Sequence, residues 1–142
     1  MEIFVRVIFA ALALSLAAVI IYVIAISIPG PTPEDLREIS IETFERLNKQ
    51  RTDDGAGPLV WDNDLEIMAI EHSNYMAATH DFNHSNFNYD ENIAEGFRTV
   101  AQLYEVWRDS PPHSRAMYNP LISHAAIGIS FNGTRYATFL AR

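Results

Sequence analysis

The chain has 142 residues, 49% of them apolar, no cysteine and a formal net charge of −8. The length fits one domain. Net acidity without any basic cluster argues against nucleic acid and anionic lipid surfaces as partners, and the lack of cysteine excludes a disulfide framework.

The first predicted element is apolar throughout. Residues 7–28, VIFAALALSLAAVIIYVIAISI, carry no charge. As a helix they would reach roughly 33 Å, enough to span a bilayer core. The run is longer than the apolar region of a secretory signal, and IAISIPG is a poor cleavage site. The reading is a retained signal anchor, with a cleaved signal and secretion as the alternative. Arg6 precedes the run and the acidic PTPEDLRE follows it, so the N-terminus is expected in the cytoplasm and residues 31–142 outside the membrane. PGPTP at 29–33 is a short stiff linker.

Thr32, Pro33 and Asp35 form a capping-box start for a helix to about Gln50, with Leu36, Ile39, Phe44 and Leu47 as its apolar stripe. RTDDGAGP breaks it. Asp62 caps a second helix to about Thr79, where Leu65, Ala69, His72 and Met76 share one face. Residues 84–90 read as extended or loop, and Asn92–Gly96 fit no single element. A third helix covers Thr99–Asp109, burying Val100, Leu103, Tyr104 and Trp107. Ser110 is the N-cap candidate, with Pro111 in first position, for a short helix to about Tyr118. AAIGISF and TRYATFLA flank Asn132-Gly133, which predicts a hairpin with a two-residue turn, both φ positive. Helices followed by an antiparallel pair give an α+β class.

Several spaced motifs resemble one family. LNKQR…GAGPLVWDNDLEIMAIEHSNYMA, HS at 84–85 followed by ENIAEG at 91–96, SPPH at 110–113 after Trp107, and GIS at 128–130 with YATFLA are similar to the CAP superfamily. That superfamily comprises the cysteine-rich secretory, antigen-five and pathogenesis-related proteins. The resemblance implies an α-β-α sandwich with a central antiparallel sheet, and a cleft holding two histidines and two acidic residues. His84, His113 and Glu91 match three of the four. Ser110 stands where the second glutamate is expected, a carboxylate that prokaryotic members commonly lack; Glu105 lies nearby but is not assigned the role. Pro112, Asp90 and Ser114 depart from the family pattern.

Two histidines and a carboxylate suit a divalent cation, zinc above all. The competing reading is a hydrogen-bonded polar cluster in which Glu91 accepts from a histidine and from backbone N–H groups. Ser85, Asn92 and Ser110 are cleft-lining candidates. A serine nucleophile lacks both its elbow motif and a base oriented by a third group. His72 reads as a core histidine, His80 as a helix-end residue and His124 as solvated in a loop. Trp61 and Trp107 read as core. Asn132-Gly133-Thr134 and Asn83-His84-Ser85 fit the N-glycosylation pattern; the first is the plausible acceptor. The leading expectation is a membrane-anchored extracytoplasmic binding module, its ligand a lipid, peptide or cell-surface polymer. The alternatives are a metal-dependent hydrolase with Glu91 as general base and a structural surface domain with a vestigial site.

Overall fold

The computed structural model describes residues 29–142. The expected membrane span at 7–28 lies outside the described residues. Among those described, no helix is long and apolar enough to cross a membrane.

Helix α1 runs Pro33–Asp53. The Thr32 hydroxyl accepts from the Asp35 N–H at 3.1 Å, and the Asp35 carboxylate accepts from the Thr32 N–H at 2.7 Å, satisfying two of the free donors of the first turn. The helix passes the predicted end at Gln50 because Arg51 is a core residue, 1% exposed. Its guanidinium donates to the carbonyls of Gly57, Met117 and Asn119 at 2.9, 2.8 and 3.2 Å. A buried cation is tolerable only when its donors are met in this way.

Strand β1, Val60–Trp61, is too short to leave a periodic signature and was not predicted. Asp62 then caps α2, Asn63–Thr79, accepting from the Asp64 and Leu65 N–H groups. After an irregular stretch come β2 (Asp90–Glu95), α3 (Val100–Arg108), α4 (Pro111–Met117), β3 (His124–Phe131) and β4 (Arg135–Ala141). The stretch 92–96 that fitted no element thus belongs mostly to β2. Ser110 occupies the N-cap of α4, but its hydroxyl makes no capping bond. His124 opens β3 instead of lying in a loop.

The four strands order as β1-β3-β4-β2. β3–β4 and β4–β2 are antiparallel, but β1 runs parallel to β3, so the expected all-antiparallel sheet becomes a mixed one. The reason is the chain path: β3 arrives beside β1 only after α2, β2 and two more helices have intervened. The hairpin forms, with a three-residue connection. Phe131 pairs with Arg135, the Asn132 N–H donates to the Thr134 carbonyl at 3.0 Å, and only Gly133 has positive φ.

Strand alternation divides the interior in two. Ala125, Ile127, Ile129, Ala137 and Phe139 face α1, α3 and α4, packing with Leu36, Leu47, Leu103 and Trp107. Ala126 and Leu140 face α2 with Leu65 and Ala69. Gly128 lets α2 lie directly on the sheet: a Cβ there would stand 2.2 Å from the Ile70 nitrogen. Among the described residues the result is a three-layer mixed fold of four helices and a four-stranded sheet.

Candidate functional site

β2 is an outer strand of the sheet, and neighbouring residues on it point to opposite faces. Glu91 therefore turns toward the loop that follows α2, and Asn92 toward α4. This alternation builds the site across the outer edge of the sheet.

On the first face the Glu91 carboxylate is 7% exposed. Its Oε1 accepts from His84 Nδ1 at 2.6 Å and from the Ser85 N–H at 2.9 Å. Its Oε2 accepts from the Ser85 hydroxyl, which in turn accepts from the Phe87 N–H at 3.1 Å. A carboxylate can only accept, so His84 carries its proton on Nδ1. In the neutral ring the lone pair is then on Nε2, and the side chain as a whole is 58% exposed.

On the second face Asn92 is fully buried, and its Nδ2 donates to the His113 carbonyl at 2.9 Å. This tie holds the start of α4 against the sheet. His113 is half-buried, and its Nδ1 is enclosed without a hydrogen-bond partner, as is Asn92 Oδ1. Burial lowers the His113 pKa, nearby His84 lowers it further, and the Val106 carbonyl opposes both. His113 is thus a neutral imidazole at pH 7.

The structure brings together His84, Ser85 and Glu91 by direct hydrogen bonds, and joins Asn92 to His113. Pro112 occupies the first turn of α4 without breaking it. Glu105 faces Arg46 at 3.9 Å, and Asp90 accepts from Asn119 at 2.6 Å. His72 is buried and its Nε2 lies 2.9 Å from the Asn83 carbonyl, as a core histidine should. His80 closes α2 in the left-handed conformation, with Nδ1 3.2 Å from the Tyr136 hydroxyl. Asn132 is exposed at the hairpin tip, although its amide donates to the Ala77 carbonyl at 2.9 Å.

Among the described residues no three His, Asp or Glu side chains gather as a metal-ligating group. The donor chemistry divides differently. All three hydrogen bonds that Glu91 accepts serve to fix His84 and its loop, which leaves the imidazoles of His84 and His113 as the donors outside that tie. Imidazole is a donor type that divalent cations such as zinc accept.

A sequence model of the CAP family, the cysteine-rich secretory protein family, matches residues 44–141. The chain belongs to the CAP family. The resemblance read from the motifs is borne out, although this CAP chain has none of the cysteines of the family's name. Pathogenesis-related protein 1A of Nicotiana tabacum is 38% identical over 65 residues, which is 44% of this chain and 39% of that protein. Protein 1C of the same plant is 36% identical over 63 residues, 42% of this chain and 38% of that one. The chain spans about two fifths of the length of these tobacco relatives. An extracellular SCP-domain protein from Bacillus anthracis superposes with a TM-score of 0.65 at 20% identity, over 80% of this chain and 45% of that one. An outer surface protein from Borrelia burgdorferi gives 0.66 at 17% identity, over 76% and 96%. At these identities the likeness shows the CAP fold alone.

Proposed function

We propose that this CAP chain is an extracytoplasmic binding module, tethered to a membrane by residues 7–28, whose cleft holds a divalent cation. His84 and His113 supply the two imidazoles, and zinc suits them by donor type. Glu91 orients His84 from behind; Ser85 holds Glu91, and Asn92 holds the backbone of His113. When bound, the cation supplies a positive charge and open coordination positions for an anionic or carbonyl group of a ligand. The observation that carries the reading is the Nδ1 hydrogen bond from His84 to a nearly buried Glu91, which points Nε2 away beside a neutral second histidine. A hydrolase reading is less well supported, because Glu91 as general base would have to surrender a hydrogen bond that positions the site. The Bacillus and Borrelia neighbours are described as extracellular and outer-surface proteins, which agrees with placement outside the membrane.

Zinc titration with thermal unfolding of the full-length chain tests this. A shift is expected near pH 7.5 and a much smaller one at about pH 5.5, since protonated imidazole cannot ligate. His84→Ala and His113→Ala should each remove it, and the double variant should remove no more, because both side chains share one ion. No shift in the wild-type chain, or an undiminished one in either variant, would sink the proposal.

A further inference from the structure

The tip of the β3–β4 hairpin carries a chemistry of its own. Phe131 and Arg135 close the connection, and Asn132, Gly133 and Thr134 lie between them. Asn132 and Gly133 are exposed. Gly133 sits at φ 74°, a conformation that glycine adopts freely. Among the described residues its N–H meets no backbone acceptor. Asparagine before glycine is the pair in which a backbone nitrogen most easily attacks the preceding side chain, because glycine has no Cβ to crowd the approach.

The Asn132 amide is tied across the fold. Its Nδ2 donates to the Ala77 carbonyl at 2.9 Å. That carbonyl belongs to the last turn of α2, which ends at Thr79. The helical ladder would bring it the Asp81 N–H, but that donor goes to the Thr79 hydroxyl at 3.2 Å. Asn132 therefore caps α2 from a distant part of the chain, satisfying a carbonyl that the helix itself leaves free. The turn held in this way leads directly into the loop that carries His84.

We infer that Asn132 is a site of spontaneous deamidation, and that its hydrogen bond to Ala77 is both the brake on the reaction and the contact the reaction destroys. Water is the only co-reactant. The Gly133 backbone nitrogen gives its proton to a solvent base and attacks Asn132 Cγ, closing a five-membered imide. The Cγ–Nδ2 bond breaks, and Nδ2 takes a proton and leaves as ammonia. Water then opens the imide at Cγ to give aspartate, or at the backbone carbonyl to give isoaspartate, whose main chain runs through Cβ and Cγ. Nδ2 is the atom that leaves, so a bond that immobilises it opposes the step. Neither product can remake the tie. A carboxylate only accepts, and here it would meet a carbonyl oxygen at the negative end of the α2 dipole. The inference is independent of the metal reading.

Peptide mapping tests it on the full-length chain, made in a bacterial host that adds no glycan to Asn132 and held in mildly alkaline buffer with and without urea. The native chain should convert Asn132 to a mixture of aspartate and isoaspartate. It should do so at least about twofold more slowly than the chain in urea, the smallest bias that one net hydrogen bond gives. Gly133→Asp tolerates the positive φ and should slow the conversion by crowding the nitrogen; the urea arm reads this even if the variant fails to fold. Asn132→Asp reproduces one product and should lower the thermal midpoint below that of Asn132→Ala, which loses the donor without gaining a charge. The inference is overturned if Asn132 stays intact in the native chain while the chain in urea converts, or if neither converts. It is equally overturned if the native chain converts as fast as the unfolded one, if Gly133→Asp leaves the rate unchanged, or if Asn132→Asp is no less stable than Asn132→Ala.

Discussion

Replacing Glu91 by alanine separates what the carboxylate does for the fold from what it does for His84. Three hydrogen bonds end on this side chain. His84 is more than half exposed, so water can replace its lost acceptor at little cost. The Ser85 N–H and hydroxyl are partly buried and lose a charged acceptor, for which about 1.5–3 kcal/mol in total is reasonable. That loss should appear in urea unfolding with a chelator present. The second effect appears only with metal. Without its acceptor the His84 ring can rotate and change tautomer, and loss of such an orienting partner typically weakens metal affinity by about 10–100-fold. At a zinc concentration about a hundred times the wild-type Kd, the metal adds ~2.7 kcal/mol to the wild-type chain. At that same concentration the variant should gain only about 1.4 to 0.4 kcal/mol. Paired urea titrations with and without zinc give both numbers on one sample. An alanine variant that loses stability but keeps the full zinc increment would refute the orienting role and leave Glu91 as a loop tie alone.

Two further outcomes are expected. His113 has its folded pKa lowered by burial and by His84, so the unfolded chain binds more protons than the native one as pH falls below about 6.5; stability should drop across that interval, then level off below the folded pKa, and His113→Gln should flatten this slope in metal-free chemical denaturation, an unchanged slope counting against the assignment. If residues 7–28 anchor the chain with its C-terminal part outside, protease added to intact cells should remove the CAP domain and leave a small membrane fragment, whereas a soluble mature form starting near residue 30 would mean a cleaved signal.

The helices were legible because their ends carry chemistry that acts locally. Thr32 with Asp35 and Asp62 each mark a helix start, and both accept the capping bonds expected of such side chains, whereas Ser110 stands at the start of α4 without making one. The extra turn of α1 was not legible, because nothing near Arg51 in sequence says that its guanidinium will find carbonyls at Met117 and Asn119. β1 was invisible for a related reason: two residues have no period, and their strand character comes only from β3 lying alongside.

The site divides along the same line. His84 and Glu91 were suspected together from the family motifs, but their relation depends on β2 being a strand, and DENIAE has too few apolar residues to show a period of two. Once β2 pairs with β4, alternation does the rest. Glu91 and Asn92, adjacent in sequence, must diverge, one to the His84 loop and the other to the backbone of His113. A residue inserted between them would turn one of the two to the wrong face and separate the histidines from their supports. The two edges of the sheet then differ for a physical reason. At β2 the outer edge is occupied: the loop after α2 ties to Glu91, α4 ties to Asn92, and Trp107 Nε1 donates to the outward Ile93 carbonyl at 3.1 Å. At β3 nothing in the described chain performs that service past Ala125. An open edge is a liability unless it is covered, and here the helices on both faces cover it without pairing it, leaving Ile127 and Ile129 1% and 6% exposed.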